Sequence, residues 1–129
     1  MPVRSLSSSV LKWPDRATVD SALRSITARL AAEHPELMKL GYFGSYARGD
    51  WGMGSDLDII AVVQASAAPF TERAGAFDIS GLPVPGELLV YTDGEWSSMQ
   101  LEGRRFIRDL ERETVWVFLR TEPEQLGSE

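Results

Sequence analysis

Asp56 and Asp58 stand two residues apart at the head of the run Asp56-Leu57-Asp58-Ile59-Ile60-Ala61-Val62-Val63. That run is apolar and β-branched, which suits a buried central strand. Residues i and i+2 of a strand project from the same face, about 6–7 Å apart along the chain. Burying unpaired carboxylates is costly, and a cation bound between them is a common way to offset it. With no cysteine in the chain and no histidine near this segment, the donors are hard oxygens, which select Mg²⁺ or Mn²⁺ over zinc. Mg²⁺ takes few carboxylates and completes its shell with water and substrate phosphates, so the implied substrate is a nucleoside triphosphate.

Gly44-Ser45 supplies the other half of such a site. After a strand, glycine lets backbone approach a phosphate closely, and the amides and hydroxyl of a following helical turn can hold phosphate oxygens. Arg48 either contacts phosphate or pairs with Asp50 or Asp56 to hold the loop. Asp50 reads as a loop-capping residue and Trp51 as a hydrophobic lid or a partner contact. With Ser45 on the terminal phosphates and Asp56 and Asp58 on metal, the α-phosphate is placed for in-line attack.

The elements that must position these residues follow from periodicity. Val19, Ala22, Leu23, Ile26 and Leu30 recur at helical spacing and predict an amphipathic helix over 15–32, capped near Asp15. It should stop at His34-Pro35, because the residue before proline is pushed out of the α region. A strand fits Met38 to Phe43. The glycines at 49, 52 and 54 make 45–55 a loop, with one helical turn over 46–48. A short helix follows Pro69, and Glu87-Leu88-Leu89-Val90-Tyr91-Thr92 is a third strand. One long helix is predicted over 94–113, its face made by Trp96, Met99, Gly103, Phe106 and Leu110, with Arg104 and Arg105 on its solvated side. Val115 to Leu119 either extends that helix or forms an edge strand, and the strand is preferred.

The stretch from Gly44 to Ile59 resembles the signature of the polymerase-β-like nucleotidyltransferase superfamily, in which Gly-Ser is followed roughly ten residues later by Asp-x-Asp. Its GSYARG opening and SDLDI close look most like the minimal nucleotidyltransferase (MNT) group, related to the kanamycin nucleotidyltransferases. The resemblance spans Met38 to about Glu113. It implies an α/β (α+β) fold: a small mixed sheet of about four strands, helices packed on one face, and the metal site at the exposed end of the sheet. It also implies a third carboxylate on a neighbouring strand that helps hold metal and can serve as general base. Glu87 occupies the matching place; Asp is commoner there in the MNT pattern, whereas the kanamycin enzymes use Glu.

The expected reaction is transfer of AMP from ATP to an acceptor hydroxyl, with Mg²⁺ (or Mn²⁺) as cofactor. Catalytic and metal-binding roles fall to Asp56, Asp58 and Glu87, and nucleotide or phosphate binding to Gly44, Ser45 and Arg48. Minimal members of the family are often paired with a small helical HEPN protein, some pairs acting as toxin–antitoxin systems. The resemblance therefore implies a HEPN-type partner. The competing classes are a non-catalytic nucleotide- or partner-binding subunit of the same fold, and a small-molecule nucleotidyltransferase of the antibiotic-modifying kind.

Composition narrows the field around this reading. Thirteen Lys and Arg against nineteen Asp and Glu give a formal charge of −6, which disfavours free nucleic-acid binding by a basic face. The 129 residues suit one domain over 15–120, between an N-terminal lead over 1–14 and an acidic tail over 121–129. That length leaves little for a separate acceptor-binding domain, so a partner chain is expected to supply it; pairing with further copies of itself is open. Absence of cysteine removes disulfide scaffolds and thiolate sites. No secretory signal or membrane span is legible, and the cytoplasm is the expected compartment.

Overall fold

The computed structural model describes residues 13–120; most of the N-terminal lead and the whole acidic tail lie outside the described residues. Helix α1 runs Arg16–Glu33, one residue from the predicted bounds at each end. Asp15 caps it, its carboxylate accepting the Thr18 N–H at 2.9 Å, and His34 ends it before Pro35. Strand β1 (Leu37–Phe43) leads through Gly44 into the four-residue helix α2 (Ser45–Arg48). Strand β2 (Leu57–Val63) follows, then the short helix α3 (Phe70–Arg73) with a 3₁₀ turn over Ala74–Ala76, and strand β3 (Gly86–Thr92). Edge strand β4 (Val115–Leu119) completes the sheet, as preferred from the sequence.

The sheet has the order β3-β2-β1-β4. β1 is antiparallel to both β2 and β4, while β2 and β3 are parallel. The fold is thus mixed α/β around a four-stranded mixed sheet, as expected. The crossover between the parallel strands carries α3, since parallel neighbours cannot be joined by a tight turn.

Two expectations need correction. The helix predicted over 94–113 is broken into α4 (Asp93–Glu102) and α5 (Arg105–Glu113). Gly103 ends α4 in the left-handed region at φ 64°, a conformation glycine adopts without a steric penalty, and its N–H bonds back to Met99 and Gln100 carbonyls. The helices also cover both faces of the sheet rather than one. Val19, Leu23, Ile26 and Leu30 of α1 pack against Leu57, Ile59, Ala61 and Val63 of β2, all buried. On the opposite face Ile60 and Val62 meet Trp96 of α4 and Ile107 and Leu110 of α5. β2 is apolar on both sides, and each side chain of this kind contributes roughly 1.5–3 kcal/mol when fully buried, so both faces need a cover.

Two polar arrangements fix the ends of these layers. The Thr92 hydroxyl accepts the Glu95 N–H while the Glu95 carboxylate accepts the Thr92 N–H, a capping box that starts α4. Arg73, nearly buried, reaches the same Glu95 carboxylate at 2.7 and 3.1 Å and ties α3 to α4. No helix among the described residues is long and apolar enough to cross a membrane.

Candidate active site

The alternation of β2 that sends Leu57 and Ile59 to the α1 side sends Asp58 to the other, where α5 lies. Asp56 precedes the strand with the same parity, and both carboxylates line one cleft at the end of the sheet. Gly44, Ser45 and Arg48 line it from the β1–α2 junction, and Phe106, Asp109, Leu110 and Glu113 from α5. The cleft has a volume of about 470 Å³. Five of the six residues singled out from the sequence thus meet at one place.

Glu87 does not line that cleft, but it is not remote. It is the register partner of Asp58 across the parallel β2–β3 pair and so projects from the same sheet face. Its side chain is exposed, as is that of Asp56, whereas Asp58 is half-buried. Burial, then the negative charges of Glu87 and Asp56, push the Asp58 carboxyl above its ordinary value; Arg48 opposes this and Glu113 adds to it. This unbalanced negative charge on oxygen donors alone is the environment a hard divalent cation relieves. Among the described residues no group of three or more acidic, His or Cys side chains is placed to hold a metal ion. Asp56 and Asp58 offer carboxylate oxygens, the donor type that hard divalent cations take.

Gly44 makes the junction possible. Its φ is 80°, a region that L side chains rarely adopt, and its Cα packs directly over Asp58. The turn presents the Gly44 N–H to the cleft, where it donates to Glu113 Oε2 at 2.6 Å. Arg48 pairs with Asp50 at 3.2 Å and with Glu113 at 3.4 Å, so of the alternatives open in the sequence it takes Asp50 and not Asp56. Trp51 is no lid. It stacks on the buried Tyr46 with ring centroids 5.3 Å apart and packs against the core. Arg104 and Arg105 are exposed at the start of α5.

Sequence reasoning missed Glu113, Asp109 and Phe106. Their only local signal was a helical run rich in charge. What brings them to the cleft is the break at Gly103, which lets α5 take its own direction over the sheet end.

Residues 23–117 match the family described as Nucleotidyltransferase domain. A search of the curated proteins found no match in sequence. Among solved structures, a putative nucleotidyltransferase from Sulfolobus solfataricus superposes with a TM-score of 0.57 at 20% identity, covering 81% of this chain and 84% of that one. At that identity the likeness concerns the fold. A toxin–antitoxin structure with AMP-PNP is similar at a TM-score of 0.46 and 16% identity, covering 80% of this chain and 78% of that one. A mutant of the toxin–antitoxin pair MntA–HpeT is similar at 0.43 and 13%, with the same coverage. Both are too distant to bear on the chemistry of this chain.

Proposed function

The chain belongs to the nucleotidyltransferase domain family, and from that premise we propose that it moves AMP from ATP to an acceptor hydroxyl in a Mg²⁺-dependent reaction. The observation that carries this reading is the meeting of Asp56 and Asp58 with Gly44, Ser45 and Arg48 around one cleft. Asp56 and Asp58 would hold the cation, with Glu87 as the third carboxylate from the adjoining strand. When bound, a divalent cation supplies charge stabilisation at phosphoryl oxygens.

The chain's own groups do the rest. The Gly44 N–H and the Ser45 hydroxyl donate to phosphate oxygens, and the Arg48 guanidinium offsets their charge. Glu87 takes the proton of the acceptor hydroxyl as its oxygen attacks the α-phosphorus. The new O–P bond forms as the bond to the bridging oxygen breaks, and pyrophosphate leaves with the electron pair.

In this reading the acceptor is a small helical HEPN-type protein, and the chain is the antitoxin of a toxin–antitoxin pair. Support comes from the likeness of GSYARG and SDLDI to the minimal group and from the formal charge of −6, which suits a basic ribonuclease partner. The test is transfer from α-labelled ATP to a co-expressed HEPN-type partner with Mg²⁺ present. Label on a partner hydroxyl is expected; no label on any partner, with wild-type protein folded and metal present, defeats the reading.

One observation favours a second reading. Glu87 is exposed and stands outside the cleft lining, an arrangement that can bind nucleotide without supplying a base. A Glu87→Gln variant that binds ATP but transfers nothing supports catalysis by Glu87. Wild-type protein that binds without transfer supports the non-catalytic subunit.

A further inference from the structure

The Gly44 N–H and the Arg48 guanidinium, the two groups best suited to hold phosphate, already hold an anion of the chain itself. Glu113 Oε2 lies 2.6 Å from the Gly44 nitrogen and 3.4 Å from Arg48 Nη1, and Glu113 Oε1 lies 3.5 Å from the same Arg48 nitrogen. A carboxylate in that position makes the charge-assisted contacts a phosphate oxygen would make. We propose that Glu113 is a specificity-determining residue that makes the cleft selective for metal-complexed over metal-free triphosphate. It occupies the phosphate-binding donors and, once displaced, leaves a carboxylate beside the incoming phosphates. This rests on the nucleotide-binding role given above to Gly44 and Arg48.

The charges around the cleft supply the selectivity. Its lining carries one guanidinium, Arg48, against the carboxylates of Asp56, Asp58, Asp109 and Glu113. A bare triphosphate entering this surround meets net repulsion, and it must also take Gly44 and Arg48 from Glu113, setting free a carboxylate beside its own phosphates. A metal-complexed triphosphate brings positive charge to Asp56 and Asp58 at the same moment. That charge offsets both the repulsion and the freed carboxylate.

Only a side chain has to move. Glu113 is the last residue of α5, whose Ile107 and Leu110 are buried in the core. Just beyond it, the Thr114 N–H and hydroxyl both donate to the Leu110 carbonyl, at 2.9 and 2.6 Å. The backbone on either side is thereby fixed, while the Glu113 side chain, 26% exposed, has room to turn toward solvent.

The experiment is calorimetric titration with a non-hydrolysable ATP analogue, once in EDTA and once with Mg²⁺, on wild-type protein and on Glu113→Gln and Glu113→Ala. In both variants the metal-free affinity is expected to rise about 10-fold more than the Mg²⁺-complex affinity, because both ligands are spared the competition for Gly44 and Arg48 but only the metal-free one is also spared the uncompensated repulsion of the freed carboxylate. Gln keeps the shape of the side chain, and thermal melts of both variants confirm folding before titration. A folded Gln variant whose metal-free affinity is unchanged or lower overturns the inference, since Glu113 then supports the site instead of guarding it. Wild-type protein that fails to bind the Mg²⁺ complex at all is a different result, and it defeats the nucleotide-binding reading itself.

Discussion

Gly44 and Asp58 are in such close contact that a β-carbon on Gly44 would sit 2.3 Å from Asp58 Oδ2. The glycine at the end of β1 and the aspartate on β2 are therefore one steric unit: the backbone that offers its N–H to the cleft also forms the wall against which the carboxylate is set. Gly44→Ala adds both this clash and a left-handed residue with a side chain, at a cost of about 1–3 kcal/mol. Displacing Asp58 by even 1 Å can lower the rate by about 10²-fold. Urea melts and transfer rates check the two effects, and an alanine variant with wild-type stability and rate would refute the contact.

Asp58 should be a stability liability in the metal-free protein. Its folded carboxyl is raised by burial and by Glu87 and Asp56. The folded state thus binds its proton more tightly than the unfolded chain does. Stability from this group is present below the usual carboxylate range and is lost as pH rises through the raised value. Asp58→Asn is expected to raise the melting temperature of the metal-free protein at pH 7, to flatten this pH dependence, and to lower transfer by more than about 100-fold. A lower melting temperature for the metal-free Asn variant contradicts the argument.

The opposite sign holds at Glu95. Arg73 and the Thr92 N–H hold its carboxyl down, to about 2 from an ordinary 4.5. Its stabilising effect is present above the ordinary value and fades as pH falls toward about 2. With the Glu95 side chain 42% exposed, solvent screens part of it. Thr92→Ala removes the capping hydroxyl and should cost about 1 kcal/mol in urea unfolding. Glu95→Gln should be clearly destabilised at pH 7 and closer to wild type at pH 3; a gap as wide at pH 3 as at pH 7 would assign the effect to packing.

Alkaline pH tests the α1 side of the sheet. Tyr42 donates its hydroxyl to Asp20 at 2.8 Å, and burial followed by that hydrogen bond pushes the phenol up to about 12 from 10. The folded state keeps its proton while the unfolded chain releases one, so stability is full below pH 10 and drains away as pH approaches 12. Tyr42→Phe should remove this sensitivity, read from melts between pH 9 and 11 set against the tyrosinate absorbance of the wild type. Identical alkaline melts for the two proteins would show that Tyr42 is not the source.

What could be read from the sequence was what is local. The Gly44 to Asp58 stretch is a glycine turn at the end of β1, one short helical turn, a glycine-rich loop and the head of β2, so its spacing alone places donors and carboxylates at one sheet end. The third strand was equally plain in Glu87 to Thr92, although which residue of it faces Asp58 became known only from the β2–β3 register. The cover on both faces was latent in Ile59-Ile60-Ala61-Val62-Val63, which has no polar side to leave in water. The break at Gly103 was hidden because the glycine fell on the apolar face of an otherwise continuous helical pattern, where no periodicity marks it. Glu113 could not be found without that break, since its partners Gly44 and Arg48 are more than sixty residues away.

The central position of β1 has a consequence for the order in which the molecule is made. Lys39 and Leu40 wait for Leu119 and Phe118 to complete their outer ladder. Until the ribosome has released residues 115–119, an emerging chain holds β1 with one edge bare, and such an edge invites pairing with other chains. Over the same interval Asp56, Asp58 and Glu87 have all been translated, while Glu113 has yet to be added or docked. Closure of the outer edge of β1 and the seating of Glu113 against Gly44 therefore both depend on the stretch from Glu113 to Leu119.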